Sequence, residues 1–209
     1  MIIQRIETMS DCPYANPRYV AIHNAYLVDD IPVYFEFIDK CKAVIHSALS
    51  ELPKELVEEF RFYNYQVTEF YGENGELLFS YPPIPLTLTE ISSLQPSQFY
   101  INQAKMQNCE EWVSSADDLL IPVYPDTPFI CDGHTRLYAG LRNGVTHCYT
   151  YPADGVGSYL SDFIQMAKER GIFKISDMKV VSDEEYRIVW HQFCDEYFRN
   201  RNSGKNTDA

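Results

Sequence analysis

Five consecutive residues, Asp132-Gly133-His134-Thr135-Arg136, gather the side chains of this sequence best suited to chemistry. A guanidinium at Arg136 can grip a phosphate through a two-pronged fork, and an imidazole at His134 can donate to a phosphate oxygen or shuttle a proton. Asp132 can hold Mg2+ through water or accept a hydroxyl proton. Gly133, with no side chain, lets a phosphate approach the main chain, and Thr135 follows two residues later. Each of these residues also has a plainer role. Asp132 can cap the helix that follows, and His134, which shares a helical face with Leu137, Tyr138 and Leu141, can be a core histidine. Lys105 joins the candidates because Lys105, Arg136 and Arg142 are the cations of residues 91–151, and a lysine at a pocket wall would neutralise a phosphate chain. Its plain alternative is a solvated lysine at a helix start. Arg142 points to another helix face and is left out of the site.

The elements that must hold this turn are readable on both sides of it. Ile121-Pro122-Val123-Tyr124, a Pro-Asp turn and Pro128 to Cys131 read as buried strand, and the helix after Gly133 stops at Asn143-Gly144. Val145 to Tyr151 is the next strand. Strand, turn and helix in that order aim free N–H groups and the positive helix end at whatever lies above the turn, which makes an anion site. Earlier in the chain, Tyr19 to Val28 reads as a strand, Pro32 to about Leu49 as a helix and Pro53 to Phe60 as a second helix. Gln66 to Tyr71 and Leu77 to Tyr81 form a hairpin around Asn74-Gly75. Later, Gly157 to Arg170 reads as a helix closed by Gly171. Ser182-Asp183-Glu184-Glu185 has the form of a capping box and opens a helix carrying Tyr186, Val189, Trp190, Phe193 and Tyr197. That aromatic stripe reads as core or as a homodimer contact rather than a cofactor box. The tail from Arg199 is polar and expected to fray.

These elements give an α+β chain. Tyr81-Pro82-Pro83-Ile84-Pro85 is the clearest break, so the expected division is an α+β segment at 1–85, a domain at 86–151, a helical extension at 152–200 and a flexible tail at 201–209. His23 and His46 of the first segment read as ordinary structural or surface residues. With 45% hydrophobic residues among 209, the chain buries a real core and is not disordered. Its net charge of -13 argues against nucleic acid as a partner. Residues 1–90 hold 6 basic and 14 acidic side chains, whereas residues 91–151 hold 3 and 6, so the acidity lies mostly away from the turn. That leaves room for one small phosphorylated ligand. No secretory signal or membrane span is evident, and a cytoplasmic location is expected. The six cysteines show no metal-ligand spacing and read as reduced, mostly buried thiols; no metal site is expected.

Asp-Gly-His-Thr-Arg-Leu-Tyr-Ala from Asp132, with Ile-Pro-Val from Ile121, Leu94-Gln95-Pro96-Ser97-Gln98-Phe99-Tyr100, Lys105 and Trp112, resembles the ParB/sulfiredoxin-like superfamily. The resemblance covers about residues 88 to 151. It implies a ParB/sulfiredoxin-like domain whose pocket takes ATP or another nucleotide with Mg2+, phosphates on the 132–136 turn. Sulfiredoxins look like Gly-Gly-Cys-His-Arg here. This chain has His134 at the cysteine's place and Cys131 on the strand before, so that reaction lacks its nucleophile. Chromosome-partitioning members look like Gly-Glu-Arg-Arg-Tyr-Arg-Ala; here His134 stands at the glutamate and Tyr138 at the last arginine, and of the arginines only Arg136 is retained. Most similar is the Asp-Gly-His-x-Arg turn of the ParB-fold free-serine kinases, which implies Asp132 and His134 in catalysis. It further implies that Gly133, Thr135, Arg136, Lys105 and Gln98 contact the ligand, with phosphate passing to a small hydroxyl-bearing molecule. Those kinases carry a glutamate where this chain has Gln98, which cannot act as a base. The alternative is therefore a non-catalytic interaction module on the same scaffold. A DNA-binding partitioning protein or a nuclease is less favoured.

Overall fold

Alternation, not helical spacing, governs the chain between residues 25 and 47. In the computed structural model, which describes residues 1–6, 23–153 and 157–204, β1 (Ile3–Arg5) and β2 (Ala25–Val28) pair antiparallel and lead into β3 (Ile31–Phe37) and β4 (Lys42–Ser47). The helix expected from Pro32 to Leu49 is thus a β-hairpin. Two features explain the difference. Val33 and Phe35 are buried while Pro32 and Glu36 face out, a period of two that suits a half-buried strand. Asp29 and Asp30 both take positive φ, 47° and 66°, forming the two-residue turn that joins β2 to β3 in register. Residues 19–22 lie outside the described residues, so the strand expected to begin there is described only from Ala25.

Helix α1 (Lys54–Tyr63) buries Leu56, Val57 and Phe60, one face of the helix, and crosses over so that β5 (Glu69–Tyr71) runs parallel to β4. β6 (Leu77–Ser80) completes the expected hairpin and a sheet ordered β1-β2-β3-β4-β5-β6 among the described residues. Phe35 stacks on Phe60 with centroids 3.9 Å apart, and Phe70 meets Phe60 edge-on at 5.7 Å. These rings fill the space between α1 and one sheet face, a packing that combines large apolar burial with favourable ring geometry.

After residues 81–86, which have no regular structure, β7 (Thr87–Glu90), β8 (Tyr100–Asn102), α2 (Gln103–Glu110), β9 (Leu120–Val123), α3 (His134–Arg142) and β10 (His147–Pro152) follow. β10 is central in a three-stranded sheet, antiparallel to β7 and parallel to β9, and α3 is the crossover between the parallel pair. Helix α4 (Tyr159–Glu169) and β11 (Lys179–Val181), which pairs parallel with β8, come next. Ser182 Oγ accepts the Glu185 N–H at 3.2 Å and opens α5 (Asp183–Tyr186). A π-helical turn over Arg187–Gln192 leads into α6 (Phe193–Gly204). The aromatic stripe packs inward, with Trp190 and Phe193 on Phe99 at 5.1 and 5.2 Å. Of the tail expected to fray, Arg199 to Gly204 belong to α6, where Arg201 pairs with Asp162 at 3.0 Å, and residues 205–209 lie outside the described residues.

The fold is α+β, with one buried cluster built on α1 and the first sheet and a second around Ile101, Ile121, Ile130 and Leu137. Among the described residues Cys109 and Cys148 are buried and Cys41, Cys131 and Cys194 half-buried, all five as free thiols. Cys12 lies outside the described residues. No helix among the described residues is long and apolar enough to cross a membrane.

Candidate functional site

The turn sits where three stretches of chain converge. β9 pairs with β10 on one side, and on the other Val123 bridges antiparallel to Ile130 while Gln95 bridges parallel to Phe129. The Cys131 N–H donates to the Pro122 carbonyl at 2.9 Å, so the chain reaches Asp132 directly from the edge of β9. Gly133 then takes φ +91°, and the Leu137 N–H closes on the Gly133 carbonyl at 2.9 Å. The amides of His134, Thr135 and Arg136, in the first turn of α3, have no acceptor within the helix.

Arg136 is turned inward. It is 7% exposed, with Nη2 3.1 Å from Asp132 Oδ2 and Nη1 donating to the Leu120 carbonyl at 3.4 Å. Its fork lies under the turn rather than above it. A Cβ on Gly133 would stand 2.8 Å from Ile121 Cδ1 and 3.1 Å from Arg136 Nη2, so the glycine makes room for the buried guanidinium as well as supplying the positive φ. Asp132 keeps 55% of its side chain exposed, and that surface opens into a cavity of about 470 Å3. Burial disfavours its charge, but Arg136, then His23, the Gly133 N–H and His134 outweigh that and hold the carboxyl below the usual range. It is an ionised, accessible carboxylate and not a helix cap, since Gly133 occupies the cap position.

His134 is 4% exposed, and that remnant lies in the cavity wall. The Ser97 N–H donates to its Nε2 at 3.0 Å, while Ser97 Oγ donates to the Ile130 carbonyl at 2.8 Å and lies 3.3 Å from the same Nε2. A ring nitrogen that accepts an amide carries no proton, so the neutral ring bears its hydrogen on Nδ1. Burial pushes His134 down to about 4, only partly offset by Asp132. At neutral pH it is a fixed N–H donor, not a proton shuttle.

The other expected residues are distributed unevenly. Gln98 lines the cavity, its amide donating to the Tyr100 carbonyl at 2.6 Å and to Tyr186 Oη at 2.9 Å. Lys105 is exposed on α2, where its N–H is capped by Asn102 Oδ1 at 2.9 Å; it and half-buried Thr135 are outside the cavity lining. Cys131 lines the cavity, but burial followed by the Asp132 charge pushes its thiol up to about 12, so it holds its proton and is no nucleophile at neutral pH. Among the described residues no group of three or more His, Cys, Asp or Glu side chains could hold a metal ion.

Sequence reasoning missed most of the cavity wall. Arg5, His23 and Tyr63 come from the N-terminal unit, and Phe163, Trp190 and Phe198 from the C-terminal helices. Ser97, within the Leu94–Tyr100 segment, carries no local signal of its bond to His134. The π turn that brings Trp190 to the cavity leaves no signature in residue spacing, although such turns recur at functional sites.

No protein-family model and no curated protein matches this chain. Among solved structures, protein Atu1540 from Agrobacterium tumefaciens is similar over 46% of this chain and 62% of that one, with 18% identity and a TM-score of 0.33. The match therefore takes in less than two thirds of that protein's length.

Proposed function

We propose that this chain is a ParB/sulfiredoxin-like protein that binds a nucleotide, or another phosphorylated ligand, with Mg2+ at the Asp132–Arg136 turn, and that it passes phosphate to a small hydroxyl-bearing molecule. The observation that carries the reading is the opening of α3 onto a cavity of about 470 Å3, a size within the usual range for small-molecule sites. The free amides at the start of α3 favour an anion there, and the Arg136 charge beneath them is matched by Asp132. Mg2+ is commonly held by one or two carboxylates together with substrate phosphates, and Asp132, ionised and open to the cavity, fits that part. When bound, the metal–nucleotide would supply the phosphoryl group and neutralise its charge. Asp132 would either hold that Mg2+ through water or accept the hydroxyl proton of the acceptor, and the neutral His134 ring would donate its Nδ1–H.

Calorimetric titration of ATP, ADP and CTP with Mg2+ tests the binding claim: at least one binds the folded wild type, and binding by none overturns it. Asp132→Asn is expected to bind nucleotide and lose turnover; full activity in that variant removes Asp132 from the chemistry. The second reading, a non-catalytic module, is favoured by Gln98, whose amide is committed to Tyr100 and Tyr186 where a base would stand. Nucleotide binding without turnover in the wild type decides for it.

A further inference from the structure

The N-terminal unit has no part in the Asp132 motif, yet Arg5, at the end of β1, and His23, just before β2, line the same cavity as Asp132. Both rest on one ring at the end of α1. The Arg5 guanidinium lies 4.3 Å from the Tyr63 centroid, and the His23 ring lies 4.6 Å from it. His23 holds a left-handed backbone, φ 59°, which is uncommon outside glycine and costs free energy. Two charged side chains, Arg5 and Asp132, line the same cavity as this ring. Burial pushes that ring down to about 4, so at neutral pH it is uncharged and offers one N–H.

The C-terminal helices contribute differently. From the C-terminal helices the lining side chains are Tyr159, Leu160, Phe163, Trp190 and Phe198, none of them charged. The charged side chains of the lining are thus Arg5 and Asp132, and aromatic side chains reach it both from the N-terminal unit, at Phe62, Tyr63 and Tyr65, and from the C-terminal helices.

We propose that His23 and Arg5 are ligand-contacting, specificity-determining residues, so that the N-terminal unit forms half of the site, and that the ligand class is an aryl or heteroaryl phosphate, an anion joined to a planar ring. The anion meets Arg5, the His23 N–H and the start of α3, while the ring lies among the aromatic side chains of α4, the π turn and α6. This rests on the turn being a ligand site. It goes beyond that reading by assigning half of the recognition to residues before the proline-rich break. A nucleotide is one source of such a ligand, and a simple aryl phosphate is another.

The test uses the full chain and His23→Asn, a substitution that tolerates left-handed backbone. Phenyl phosphate, phenol, inorganic phosphate and ATP with Mg2+ are each titrated while the ring signals of His23 and the indole signal of Trp190 are followed by NMR. Phenyl phosphate or ATP is expected to move both signals, to bind more tightly than phenol or inorganic phosphate, and to bind His23→Asn about tenfold more weakly. An unchanged dissociation constant in the folded variant, or binding that leaves the His23 signals unmoved, overturns the proposal. Should His23→Asn fail to fold, the wild-type shifts decide alone. Phenyl phosphate acting through His23 while ATP, ADP and CTP fail to bind supports this proposal and overturns the nucleotide reading. ATP binding that ignores His23 does the reverse, and no binding of any probe overturns both.

Discussion

Two arginines are equally buried, one in each half of the molecule, and they do different things. Arg61, 8% exposed, donates Nε–H to the Val67 carbonyl and lies 3.7 Å from the Tyr81 centroid and 4.9 Å from that of Tyr65; the carboxylate of Glu58 is a distant 3.8 Å from it. Arg136, 7% exposed, has Asp132 at 3.1 Å and the Leu120 carbonyl as its partners. The first is a staple, joining α1 to the strand and loop that follow it through rings and a carbonyl. The second is a charge stored beneath a turn, and its carboxylate opens into a cavity. Burial alone does not separate a structural cation from a functional one; where the partner's free surface points does.

The comparison can be broken or sharpened by substitution. The largest effect is expected at Gly133→Ala, which adds a Cβ at φ +91° against Ile121 and Arg136 and should cost about 2–4 kcal/mol in urea unfolding. Gly75→Ala, in the N-terminal hairpin at φ +81° with open space around it, should cost only about 1–2 kcal/mol. Equal losses would mean that Arg136 does not need the room that Gly133 leaves.

Next comes pH. Because folded His134 titrates near 4 rather than 6.5, the unfolded chain takes up a proton that the folded chain refuses between those values. Its contribution is therefore intact above pH 6.5 and is lost as pH falls toward 4, by up to about 3 kcal/mol. The stability curve of His134→Asn should be flatter across that window, and parallel curves would count against a buried neutral ring.

A smaller effect separates the arginines directly. Arg136→Met should cost about 2 kcal/mol and raise the Asp132 pKa, read by carboxyl NMR, whereas Arg61→Met should leave Asp132 unmoved. A rise in both variants would merge the two roles. The smallest effect is expected at Lys40, which reaches from the N-terminal unit to Asp117 at 2.8 Å and over the Tyr149 ring at 4.4 Å. With Asp117 largely exposed, a double-mutant cycle on this pair should read below about 1 kcal/mol.

Some of this is legible in the amino-acid sequence. The Asp132 turn, the helix from His134, the Asn74-Gly75 hairpin and the Ser182 cap each rest on neighbours within a few residues, and each appears in the structure. The helix expected from Pro32 to about Leu49 is instead β3 and β4, because Ile31 to Phe37 carries apolar residues that satisfy a helical count as easily as an alternating one. What settles the matter is pairing with β2, fixed by a turn of two aspartates.

The amino-acid sequence by itself determined the α+β character, the acidic balance away from the turn, and the order of strand, glycine turn and helix around Asp132, because these depend on composition and on interactions local in the chain. Only the tertiary structure decided that Arg136 points inward, that Ser97 fixes the His134 tautomer, and that Arg5, His23 and Trp190 meet Asp132 in one cavity. Those arrangements join residues tens to well over a hundred positions apart. No local propensity encodes such distances; packing of the sheets and helices brings the residues together.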